Sequence, residues 1–154
     1  MIDKAIKYLS YITAFILALL VLLIVYDATA RYIFSSGSVA LQELEWHLFD
    51  VVILLGIAYA LREDAHVRVD IFYAGFSQKT KDRVNIISML LFVLPFSFLI
   101  IYIGLDFVAM SFEQNEASSN PGGLGYRFLV KSLVPMAFAL LALQAIEEVR
   151  KRLR

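Results

Sequence analysis

The chain contains no cysteine, which excludes disulfides, thiolate metal sites and cysteine nucleophiles together. Histidine is almost as scarce: His47 and His66 are the only two in 154 residues. There is no excess of either charge. Fourteen Lys and Arg balance fourteen Asp and Glu, so net charge points to no nucleic-acid partner. Proline is limited to Pro95, Pro121 and Pro135. Internal repeats and low-complexity tracts are absent.

Apolar residues are in excess instead. They make up 60% of the chain, where about half is usual for a soluble domain. They are also clustered. The runs 11–26 with its flanks and 84–110 reach the roughly 20 residues that cross a bilayer's hydrocarbon core. The runs 48–61 and 128–146 are shorter or carry one charge, and read as further spans. Spans at about 8–32, 45–61, 85–110 and 127–148 define an all-α integral membrane protein, a single four-helix transmembrane domain covering 1–154. Lys4 and Lys7, an apolar stretch and Ala28-Thr29-Ala30 mimic a signal peptide and its cleavage site. That stretch is longer than a usual signal core and Asp27 sits beside the cut, so the segment is read as the first span.

Lysine and arginine give the expected orientation. Lys4 and Lys7 precede span one. Arg62, Arg68, Lys79, Lys81 and Arg83 lie between spans two and three, and Arg150, Lys151, Arg152 and Arg154 follow span four. The connections 34–44 and 111–126 hold neither residue type. Both termini and the 62–83 connection are therefore expected in the cytoplasm. Pro95 and Pro135 fall inside spans three and four and are expected to kink them. Asn120-Pro121-Gly122-Gly123 reads as a turn on the outer side. The small residues Gly56, Ala58 and Ala60 are candidates for close helix approach.

Ionisable groups within spans are costly, so each needs an account. Asp27 and Arg31 stand four apart on one helical face and can pair. Glu45 and Asp50 lie at the outer end of span two, Asp106 at that of span three, and Lys131 opens span four. Together they predict a polar layer in the outer third of the bundle. Such groups either pair between helices and snorkel to the interface, or dock another protein. No span carries a carboxylate in its central part, which argues against a proton or ion relay. On the cytoplasmic side, LREDAHVRVDIFYAGF places Arg62, His66, Arg68 and Asp70 in a charged elbow. Asp70 is expected to cap a short interfacial helix, 71–76, and Ser77 or Thr80 to cap span three. Arg62 and Arg68 suit an anionic lipid surface. With His47 and His66 on opposite sides, no shared metal or haem is expected, nor any cofactor.

Four segments together resemble a known family. They are Ala30-Arg31-Tyr32, Gln42-Glu43-Leu44, Gly56 followed by Ala58-Tyr59-Ala60-Leu61-Arg62, and Ala65-His66-Val67-Arg68-Val69-Asp70. The last matches the family's His-x-Arg-x-Asp elbow. The chain resembles the small, DctQ-like membrane subunit of tripartite ATP-independent periplasmic (TRAP) transporters. It departs from the pattern at 39–41, where many relatives carry tryptophan, and at Asp50, where many are apolar.

The resemblance implies a bacterial inner-membrane, multi-pass subunit without catalytic residues. It would belong to a binding-protein-dependent organic acid importer driven by an ion gradient, with sodium the expected ion. Its implied partners are a large multi-span permease subunit, a periplasmic substrate-binding protein and the lipid bilayer. Arg31, Glu43, Glu45, Trp46 and Asp50 are then expected to serve docking on the periplasmic side. Arg62, His66, Arg68 and Asp70 hold the elbow, and Asp27, Asp106 and Lys131 form the polar layer. Two other readings remain for a small helical membrane protein: a haem- or quinone-binding anchor of a respiratory complex, and a free-standing exporter.

Overall fold

A computed structural model describes residues 2–65 and 73–153. Helix α1, Ile2–Phe34, is followed by α2, Val39–Arg62. Then come α3, Gln78–Ser88, a π-helical turn, Met89–Val93, and α4, Leu94–Glu113. The chain finishes with α5, Arg127–Lys131, and α6, Leu133–Arg152. Four helical stretches are long and apolar enough to cross a membrane: Ile2–Phe34, Val39–Arg62, Gln78–Glu113 and Arg127–Arg152. The described residues contain no strand. All four outrun the expected spans, because capping groups and polar turns carry the helices past the apolar runs.

The caps are chemical. Ser38 accepts from the Leu41 N–H to start α2, and Ser77 accepts from the Thr80 N–H to start α3. The Ser77 cap is the one expected for span three. Of the interfacial helix expected over 71–76, the described part runs from helical Tyr73 into a turn closed by the Phe76 N–H on the Tyr73 carbonyl at 3.1 Å. His66, Arg68, Asp70 and residues 71–72 lie outside the described residues.

Both intramembrane prolines fall where the α-helical ladder is interrupted. Pro95 stands two residues past the π turn, whose wider ring accommodates a residue that cannot donate to the turn before it. Pro135 lies one turn after the break at Ser132 and cannot donate to the Lys131 carbonyl. Ring atoms of Pro135 also form a wall against α4. A Cβ built on Gly104 would lie 3.2 Å from Pro135 Cδ. The proline and the glycine are thus one packing unit.

Helix α6 is the hub. It packs against α2 on one side and α4 on the other, while α1 leans mainly on α2. Ala58, Ala137, Ala142 and Ala145 are fully or almost fully buried, letting the backbones approach closely. Leu61, Met89, Leu141 and Ala145 form the core cluster, flanked by Ile57, Val93, Leu94, Phe138 and Val149. Of the other small residues expected at a close crossing, Ala60 is half-buried and Gly56 has open space around it. The flanking helices stay largely uncovered. Tyr11, Phe15, Leu22, Val25 and Tyr26 on α1 are exposed, as are Phe98, Tyr102, Leu105 and Phe107 on α4.

Candidate docking end and its supports

The helix ends opposite the termini carry most of the residues singled out from sequence. Glu43, on the first turns of α2, points inward and is buried. It accepts a hydrogen bond from the Ser118 hydroxyl, one from the Leu124 N–H at 2.7 Å, and one from the Arg127 guanidinium at 3.3 Å. A single carboxylate thereby fastens the whole connection between α4 and α5. The connection is itself ordered. The Asn120-Pro121-Gly122-Gly123 turn is closed by the Gly123 N–H on the Asn120 carbonyl at 3.0 Å, with Gly122 at φ +79°. Those values suit proline then glycine at the centre of a type II turn. Glu116 adds a second fastening. Its carboxylate accepts from the Lys131 ammonium, and its carbonyl accepts from the Arg127 N–H at 3.1 Å. The adjacent Lys131 ammonium holds the Glu116 carboxyl below the usual carboxylate range.

These fastenings form one wall of a cleft of about 420 Å³ between α2 and α5. Trp46, His47, Asp50, Asn120, Arg127 and Lys131 line it together with Glu43. Trp46 is 68% exposed at its edge. Arg127 and Lys131 are both paired to acids, whereas Asp50 has no ionic partner among the described residues.

The expected polar layer appears in the structure as separate groups. Asp27 is buried and forms an ion pair with Arg31 at 2.7 Å, the four-residue spacing anticipated. Arg31 also lies 5.8 Å from the Tyr32 ring centre. Glu45 approaches this pair from α2, close enough to feel both charges. Lys131 belongs to the other group, its ammonium 4.0 Å from the Phe107 ring centre. Asp106 joins neither and is exposed on α4. The layer is divided because α1 and α4 occupy opposite flanks of the α2–α6 pair.

At the termini end the supports were invisible in the sequence. Gln144 is completely buried and donates to Asp3 at 3.1 Å and to Glu148 at 2.9 Å. Lys151 joins the same two carboxylates, both at 2.7 Å. Arg62, expected in the elbow, pairs with Glu63 at 2.5 Å and reaches Asp3 at 4.0 Å. Arg152 meets Asp64 at 3.6 Å and Asp82 at 3.0 Å, so the C-terminal helix clasps the chain on both sides of the elbow. Arg152→Ala is expected to cost about 1 kcal/mol, since the carboxylates are partly solvated. A lowered thermal midpoint of the purified protein would register it, and an unchanged midpoint would contradict the clasp.

Sequence comparison accords with this geometry. The family described as "Tripartite ATP-independent periplasmic transporters, DctQ component" matches residues 20–154. A TRAP transporter small permease protein of Haemophilus influenzae is 26% identical over 133 residues, covering 86% of this chain and 76% of that protein. The family match takes in α2 through α6 and the end of α1, and so includes both the Glu43 fastening and the Arg152 clasp. The chain therefore belongs to the DctQ family, the non-catalytic small permease component of TRAP transporters, a multi-pass protein of the inner membrane.

Proposed function

We propose that this subunit acts as the stationary companion of the large TRAP permease and forms part of the platform on which the periplasmic binding protein lands. Family membership implies association with both partners. The finer reading is that the complex imports an organic acid on an ion gradient, with sodium as the coupling ion. The scarcity of Lys and Arg in the connections 34–44 and 111–126 supports a periplasmic position for the cleft end and a cytoplasmic one for the termini.

The observation that carries the platform role is the cleft at Trp46 and Asp50, whose far wall is the fastened loop. A docking surface needs a fixed shape, an amphipathic anchor and unspent charge. The Glu43 and Glu116 fastenings supply the first, exposed Trp46 the second, and unpaired Asp50 the third. Glu43 thus serves the platform from inside, holding the loop rather than touching a partner.

The test is uptake by the whole three-component system. Asp50→Lys is expected to lower binding-protein-dependent uptake roughly tenfold, with the amount of membrane complex unchanged. Wild-type uptake in that variant would end the platform reading.

A further inference from the structure

Glu45, like Asp27 beside it, has a buried carboxylate oxygen that accepts no hydrogen bond, but unlike Asp27 it has no ion pair among the described residues. Arg31, the nearest candidate cation, is already committed to Asp27 at 2.7 Å. The three charges therefore sum to one uncompensated carboxylate on the α1–α2 flank. Beside it runs a groove of about 340 Å³ lined by Leu20, Ile24, Trp46 and Phe49. Ile24, Trp46 and Phe49 are 45%, 68% and 48% exposed, so none of the described residues covers it. Glu45 lies six residues into α2, roughly 9 Å along its axis from Val39. A carboxylate at that depth beside an apolar groove is expensive unless a cation or donor meets it.

We propose that this groove receives a membrane helix of the large permease subunit, and that a lysine or arginine on that helix pairs with Glu45. The shape and the charge agree on this occupant. An apolar helix face fits between α1 and α2, and its basic side chain neutralises the residual charge beside the Asp27–Arg31 pair. A soluble partner would not reach the apolar floor formed by Leu20 and Ile24. The inference rests on the small-subunit reading and adds to it the face and the residue.

The experiment is co-purification of the large subunit with this chain, in mild detergent, from cells producing the whole complex. Glu45→Gln is expected to lower recovery of the large subunit roughly tenfold, while this chain remains monodisperse. Glu45→Lys is expected to abolish recovery, with restoration by an acidic replacement of one basic residue within a large-subunit helix. A photo-crosslinking amino acid at Ile24 is expected to capture the large subunit in the wild-type background. Capture of lipid alone at Ile24, with Glu45→Gln recovering full amounts, would overturn the proposal and leave the small-subunit function standing. Failure of the wild-type chain to recover any large subunit would overturn both.

Discussion

Gly104→Leu is expected to separate α4 from α6 and to leave little assembled complex in the membrane. The argument is steric. A Cβ at this position already meets three Pro135 ring carbons, the nearest at 3.2 Å, and the ring cannot rotate away. A leucine places three further carbons in the same gap. Overpacking of this kind costs about 1–3 kcal/mol or more where neither neighbour can yield. Here one neighbour is a proline whose position is set by the ladder break at Ser132. Gly56→Ala is the matched control. That glycine has nothing within contact range, and alanine adds helix propensity of roughly 0.5–1 kcal/mol. Thermal midpoints and complex yields of the two variants should move in opposite directions. A Gly104→Leu protein of normal stability would show that α4 and α6 meet differently.

Glu43→Lys has the second largest expected effect. It removes the acceptor for Ser118, Leu124 and Arg127 and sets a new cation against the Arg127 guanidinium. The 114–126 connection then becomes a substrate for added protease, and binding-protein-dependent uptake falls with it. Glu43→Gln keeps one acceptor oxygen and is expected to show intermediate cleavage. Protection of the loop in Glu43→Lys equal to wild type would refute the fastening. The Glu116–Lys131 contact adds a pH arm. The Glu116 carboxyl lies below its ordinary value in the folded chain, so its contribution is complete above the unfolded pKa and fades as pH falls through the lowered one. Wild-type protection should therefore hold at neutral pH and weaken only in acid.

The helical architecture was legible because its signal is a long apolar run, and each expected span lies within one of the four helical stretches. The Asp27–Arg31 pair and the Ser77 cap were legible because each depends on spacing of three or four residues. Glu43 was not. A carboxylate near an outer helix end reads as a docking charge, and its partners Ser118, Leu124 and Arg127 are more than seventy residues away. Gln144 gave no sign either, since a lone amide in an apolar helix does not announce two acidic partners. The missing signal was the acid count at the C-terminus. Glu147 and Glu148 precede Arg150 and Lys151, so those two cations pair within the same helix, while Arg152 reaches the distant Asp64 and Asp82. The haem-anchor and free-exporter readings give way to family membership.

The π turn at Met89–Val93 amounts to one extra residue held within a continuous helical stretch. Deleting that residue would restore an unbroken α-helix, still long enough to cross the bilayer, and leave everything beyond it on nearly the same face, because five residues in the wider π turn sweep about the same angle as four in an α-helix. Closing the turn to α geometry with every residue kept would instead rotate everything beyond it by nearly one residue's step, about 100°, carrying Gly104 off the Pro135 ring. A single-residue deletion within 89–93 should therefore be tolerated far better than one between Leu94 and Gly104, although the turn contains no group that binds or reacts.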